Sequence, residues 1–165
     1  MSRVWVCNAS PIILLSKAES LFLLTELADK VIIPKGVKQE LSVKIDKKVK
    51  DFLNHRKVEV VNVKKVDPKV VEWGLGKGES EVIALALKNP NYEVVLDDKL
   101  GRKCAKTLSL KVRGTIGIVI LAKRKGVITV AQPVIQKLMD AGIYFSDKWL
   151  SEILSMVDED GHEIY

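Results

Sequence analysis

Five residues could share one piece of chemistry if the fold brought them together: Asn8, Glu40, Glu81, Asp97 and Asp98. Glu79, two positions before Glu81, is a sixth candidate. Carboxylates crowded at one rim repel each other and resist ionisation unless a cation neutralises them. Hard oxygen donors of this kind select Mg²⁺ or Mn²⁺. Such a metal can activate water and steady the charge that develops at phosphorus, which is the chemistry of phosphodiester hydrolysis. The charge pattern fits that idea. Residues 35–69 carry eleven basic and five acidic groups, residues 70–98 two basic and six acidic, and residues 99–125 nine basic and none acidic. An acidic centre flanked by cationic stretches suits a phosphate backbone lying over a metal. Arg102 follows Asp98 by four positions, one helical turn, and Lys99, Lys103 and Lys106 extend the same basic surface. Ser10 and Thr115 add hydroxyls at two further element starts.

Plainer roles exist for each. Acids in a helix's first turn are favoured by the macrodipole alone, which covers Glu79 and Glu81. One of Asp97 and Asp98 could cap the following helix, and Asn8 and Ser10 could serve only as turn and cap. Glu40 among lysines could be an ordinary surface partner one turn away. Arg102 could simply bridge to a rim acid.

The elements that must position these residues alternate. Val4–Cys7 is a short apolar run that reads as a buried strand. Ser10-Pro11 reads as a cap with proline at the first helical position, opening a helix to Lys17. A second apolar helix follows over 21–27, then a strand at 31–33 stopped by Pro34, and one or two basic helices over 35–54. A strand at 58–63, a helix from Asp67-Pro68 to the glycines at 74 and 76, and a strong helix over 78–88 come next. A strand at 93–96, a helix over 99–108, a very short strand at 111–112 and helices over 115–125, 131–141 and 146–157 complete the chain. Residues 158–165 read as an acidic tail beyond a single domain over 1–157. Strands separated by helices imply parallel crossovers, hence an α/β three-layer sandwich. Ligands in such folds gather beyond the carboxyl ends of the strands, where Asn8, Ser10, Asp97, Asp98 and Thr115 fall.

Composition removes several classes. The chain has 165 residues, 47% of them hydrophobic, and a net charge of +6, which fits one domain with a sizeable core and excludes disorder. No apolar run is long enough to span a bilayer, and Asn8, Ser10 and Pro11 interrupt the only signal-like stretch, so no membrane association and a cytoplasmic location are expected. Cys7 and Cys104 sit in apolar surroundings and read as buried free thiols. No G-x-G-x-x-G follows the first strand, which disfavours a dinucleotide enzyme. His55 and His162 lie in polar contexts, so no Ser-His-Asp or Cys-His arrangement is plausible. An aromatic content of 5% argues against a platform of stacked bases. Abundant Lys, Val, Ile and Glu with only three Gln hint at a thermophilic source.

VWVCNASPIILLSK at 4–17, VKQEL at 37–41, GKGESEVIALAL at 76–87 and the stretch from VVLDDKLGRKCAK to GTIGIVILAKRKG over 94–126 together resemble the PIN-domain family. These are small α/β metal-dependent nucleases that include many prokaryotic toxins. The match is nearest to a toxin-like branch with a GESE helix, a DD-x-x-GR element and a GT-x-G turn. The resemblance implies a parallel sheet of about five strands in the order 3-2-1-4-5, with acids at its carboxyl edge. It places the family's first aspartate on Asn8, its third-helix glutamate on Glu40, the acid opening the next key helix on Glu81, and the late aspartate on Asp98 beside Asp97. Ser10 or Thr115 takes the place of a hydroxyl near the site. An amide at position 8 can still offer an oxygen but brings no negative charge, so metal affinity falls unless Asp97 or Glu79 compensates.

The leading expectation is a ribonuclease using Mg²⁺ or Mn²⁺, with Glu40, Glu81 and Asp98 as the acidic core, Asp97 and Asn8 as auxiliary ligands, and Ser10, Lys99, Arg102, Lys103 and Thr115 against RNA. The resemblance adds a possible antitoxin protein and a homodimer, the latter through the surplus of Leu14, Leu15, Leu21, Leu23 and Leu24 on helices 10–27. The alternative is a non-catalytic nucleic-acid-binding module with a degraded metal site, which Asn8 favours. A receiver-like phosphotransfer domain fits poorly, because strand one ends in an amide and the acidic pair comes late.

Overall fold

A computed structural model describes residues 2–44 and 46–157. The acidic tail at 158–165 lies outside the described residues. The strands are β1 (Val4–Cys7), β2 (Lys30–Pro34), β3 (Val58–Val61), β4 (Tyr92–Val95) and β5 (Lys111–Arg113). They form one parallel sheet in the order β3-β2-β1-β4-β5, as expected. Successive residues of a strand point to opposite faces. Val4, Trp5, Val6 and Cys7 are all buried, so both faces of β1 are covered. β3 is an edge strand and is half-exposed, with Glu59 reaching Lys30 on β2.

The crossovers are α1 (Ala9–Lys17) and α2 (Phe22–Leu27), then α3 (Lys35–Leu41), a 3₁₀ turn at Ser42–Lys44 and α4 (Lys47–Leu53). After β3 come α5 (Pro68–Val71) and α6 (Lys77–Leu87), and between β4 and β5 lies α7 (Lys99–Thr107). α8 (Thr115–Arg124), α9 (Gln132–Asp140) and α10 (Asp147–Met156) end the described chain. α6 packs on β1, β2 and β4 and against α3, while α1 packs against α3, α4, α8 and α9. No described helix is long and apolar enough to cross a membrane.

Four expectations need correction. α1 begins at Ala9 with Asn8 as its N-cap residue, so Ser10 is an exposed first-turn residue and not the cap. Pro11 is tolerated there because first-turn N–H groups have no helical partner to lose. β2 runs through Pro34, and β3 ends two residues early, at Val61. The leucine surplus on α1 and α2 is largely internal: Leu15, Leu21, Leu23 and Leu24 are buried in the core and Leu14 packs against it. Ile13 and Phe22 are the apolar residues those helices leave exposed. Cys7 and Cys104 are free and buried, and burial pushes both thiols up, away from the reactive thiolate.

Candidate functional site

Strand order reverses between β1 and β4, since β2 and β3 continue to one side and β5 to the other. The carboxyl ends of β1 and β4 therefore flank the switch point where open α/β sheets place ligands. The backbone N–H of Asn8 donates to Val95 O at 3.0 Å, which fixes Asn8 at that crevice.

An N-cap asparagine ordinarily accepts from the second or third helical N–H. Here the third position is Pro11, which has no N–H, and the Asn8 side chain makes no capping bond. Asn8 Nδ2 donates instead to Glu79 Oε1 at 3.2 Å. Asn8 Oδ1 is buried and accepts nothing. A buried carbonyl oxygen without a donor is uncommon and needs a reason.

That oxygen faces the start of α6. A Cβ on Gly78 would lie 3.2 Å from Asn8 Oδ1 and 3.4 Å from Glu40 Oε1. The two oxygens thus converge over a residue whose lack of a side chain leaves the space open. Glu40 comes from the end of α3 and Glu79 from the first turn of α6. Burial raises the Glu40 carboxyl above its ordinary range, and the negative charge of Glu79 raises it further. Asn8, Glu40 and Glu79 therefore form one electrostatic unit with too much negative charge and one oxygen too many.

The other expected acids have hydrogen bonds of their own. Glu81 is 5% exposed, and its Oε1 accepts from Gly36 N–H at 2.9 Å. Gly36 is the second residue of α3, whose N-cap is Pro34, a residue with no capping side chain. Glu81 supplies that missing cap from α6 and so holds α3, with Glu40 on it, at the rim. A Cβ on Gly36 would lie 2.7 Å from Glu81 Oε2, so the contact requires glycine. Asp98 is the N-cap of α7, and its Oδ2 accepts from Gly101 N–H at 2.7 Å. Asp97 Oδ1 accepts from Thr115 N–H at 2.8 Å and its Oδ2 from the Thr115 hydroxyl, which ties the end of β4 to the start of α8.

Arg102 Nη1 donates to Leu96 O at 3.0 Å. Its guanidinium and the Asp97 carboxylate stand on either side of Gly114, where a Cβ would meet them at 2.9 and 3.0 Å. Lys99, Lys103 and Lys106 are exposed on α7. They line, with Asp97 and Arg102, an open groove of about 490 Å³.

The fold thus gathers Asn8 and Glu40 as expected, adds Glu79, and gives Glu81, Asp97 and Asp98 protein partners. Among the described residues, no three His, Cys, Asp or Glu stand ready to hold a metal. The donor set at the crevice is two carboxylates and an amide oxygen. Glu79, a compensating acid on the sequence pattern, is the one that meets Asn8. Residues two apart on a helix point in nearly opposite directions, and here Glu79 turns to Asn8 while Glu81 turns to Gly36. Choosing between them requires knowing which face of α6 meets α3, and sequence spacing does not contain that.

No curated protein matches the chain. A family model described as a PIN domain matches residues 4–159, which spans every strand and helix above and both halves of the crevice. Strand order and that match agree, and the chain belongs to the PIN-domain family, a nuclease-type α/β fold.

Proposed function

We propose that the protein is a divalent-metal-dependent ribonuclease whose metal site is built on Asn8, Glu40 and Glu79. The observation that carries this reading is the unpartnered Asn8 Oδ1 converging with Glu40 Oε1 over Gly78. Two carboxylates and an amide oxygen are hard donors suited to Mg²⁺ or Mn²⁺. A cation bound there supplies charge neutralisation and Lewis acidity toward a phosphodiester. Asn8 holds Glu79 in place through its Nδ2 and offers Oδ1 to the crevice. Glu40 brings a second carboxylate to the site, and a bound cation would offset the burial and the Glu79 charge that raise its proton affinity. Glu81 positions α3, Asp98 positions α7 and Asp97 positions α8. Lys99, Arg102 and Lys103 hold backbone phosphates, with Ser10 and Thr115 at the margins. As the toxin of a toxin–antitoxin pair, the chain would take an antitoxin segment across the acidic crevice and pair with a second copy through Ile13 and Phe22.

The test is cleavage of labelled single-stranded RNA with Mn²⁺, with Mg²⁺ and with EDTA. Cleavage that appears only with metal, and a metal-induced rise in melting temperature, are expected. Asn8 favours a second reading, a nucleic-acid-binding module without catalysis, because an amide adds no charge to the site. Salt-dependent RNA binding with no cleavage in either metal would establish that reading in place of the first.

A further inference from the structure

A second groove adjoins the basic one. It has a volume of about 410 Å³ and shares Asp97 and Arg102 with the α7 groove. Its walls are Ile116 and Ile120 of α8 and Trp149, Ile153 and Met156 of α10. On α10, positions 149, 153 and 156 are one and two turns apart and share a face. Ile153 is buried, but Trp149 is 44% exposed and Met156 49% exposed. Phe145 meets the Trp149 ring edge-on at a centroid distance of 4.9 Å, which holds the indole in one orientation at the mouth of the groove. The floor includes Gly117, and a Cβ there would meet nothing within 4 Å. A glycine inside a helix, facing open space, gives up about 1 kcal/mol of helix propensity against alanine, and nothing in the protein's own packing requires it.

We infer that this groove holds one unpaired base of a single-stranded nucleic acid, stacked on Trp149 over Gly117, while its neighbouring phosphates lie along Lys99, Lys103 and Lys106. The inference rests on the nucleic-acid reading given above. Charge chooses this occupant over an apolar protein helix. The groove opens at Arg102 into a cationic surface, and residues 99–125 hold nine basic groups and no acid. Asp97, the acid at the junction, is occupied on both oxygens by Thr115. An aromatic face beside a cationic track is how single strands are held without sequence readout. The low overall aromatic content excludes a row of stacked bases but leaves this one position. Of the three tryptophans, Trp5 is buried, Trp73 is half-buried and Trp149 is exposed.

The test is binding of a ten-nucleotide single-stranded RNA, and of a strand of the same length with abasic sugars throughout, in EDTA so that cleavage plays no part. RNA is expected to quench a tryptophan emission that is missing in Trp149→Phe. Trp149→Ala is expected to weaken RNA binding about tenfold, and Trp149→Phe to restore most of it. Gly117→Leu, which fills empty space and improves helix propensity, is expected to weaken RNA binding without lowering the melting temperature. The abasic strand should bind all four proteins equally, and more weakly than RNA binds the wild type. The inference is overturned if the wild type does not bind RNA, if RNA and the abasic strand bind alike, if Trp149→Ala weakens both strands equally, or if Trp149 proves to bury itself in a second copy of the chain. Metal-dependent cleavage with unaltered RNA binding by Trp149→Ala would sink this inference alone. Trp149-dependent RNA binding without cleavage in any metal would sink the ribonuclease reading alone.

Discussion

The rim has two halves that look alike in sequence and differ in physics. On the α3/α6 side, Asn8, Glu40 and Glu79 crowd together, one buried oxygen has no donor, and Glu40 is pushed toward protonation. On the β4/β5 side, Asp97 and Asp98 each accept from backbone N–H groups, at 2.8 and 2.7 Å, that otherwise would lack partners at helix starts. The first half is unsatisfied, with a buried oxygen that has no donor, whereas each acid of the second has a backbone donor at a helix start. An acid that accepts such an N–H contributes to the fold as it stands. An acid held close to another with nothing between them stores repulsion that a cation would relieve. The proposed metal site thus falls on the half where a buried oxygen lacks a donor and not on the half whose acids cap helices.

Variants that treat the halves differently can break that contrast. The largest effect is expected at Glu40. Glu40→Gln removes a donor's charge from the unsatisfied half and should cut metal-dependent RNA cleavage on the order of a thousandfold, with the metal-induced rise in melting temperature lost. Retained cleavage would show that the unsatisfied half is not the metal site. Next comes Glu81, which holds α3 against α6 within the first half. Glu81→Ala leaves Gly36 N–H buried without an acceptor and should destabilise by about 1–3 kcal/mol in denaturant titration. Glu81→Gln keeps an acceptor oxygen and should recover most of that loss. If Gln and Ala are equally destabilising, the bond to Gly36 is not what Glu81 contributes. Asp98 should matter less. Asp98→Ala removes a helix cap and should cost about 1 kcal/mol, whereas Asp98→Asn, itself a good cap, should be near neutral. A loss of cleavage in Asp98→Asn at unchanged stability would move Asp98 from the satisfied half to the catalytic one.

Much of this was legible before any coordinates. A parallel α/β sheet follows from strands and helices taken in turn, because parallel neighbours need crossovers, whereas the order 3-2-1-4-5 comes from the resemblance to PIN domains. Asn8 and the acidic start of α6 could be placed at one edge because one follows a strand and the other opens a helix, whereas Glu40, near the end of α3, was placed there by the family resemblance. The division of labour among the acids could not be read. Asp97 and Asp98 are adjacent, and which one caps α7 depends on the backbone at a single residue. Glu79 and Glu81 lie on opposite sides of α6, and the packing of α3 decides which reaches Asn8. The effect of Pro11 was present in the sequence, but it was read as the first residue of α1. Moving the helix start to Ala9 makes Pro11 the third residue, which removes one of the two N–H groups that Asn8 Oδ1 could have capped. A two-residue error in a helix boundary concealed the most informative atom of the site.

The smallest expected effect is also the most direct measure of the frustration. Burial and the Glu79 charge raise the Glu40 carboxyl above its ordinary value of 4.5 in the folded protein. The folded state therefore binds that proton more tightly than the unfolded chain does. Its contribution to stability is complete below the ordinary value and is lost as pH rises through the raised one. Other carboxylates titrate over the same range, so the quantity to follow is the difference in melting temperature between wild type and Glu40→Gln, both in EDTA. Wild type should fall behind the variant as pH rises above that ordinary value, by about 1 °C given the solvent access of the Glu40 side chain. Adding Mn²⁺ should reverse the order at pH 7 and leave it unchanged at pH 4, where Glu40 holds its proton. A wild type that gains on the variant as pH rises in EDTA would mean that Glu40 is stabilised by a positive neighbour. The two halves of the rim would then be electrostatically alike.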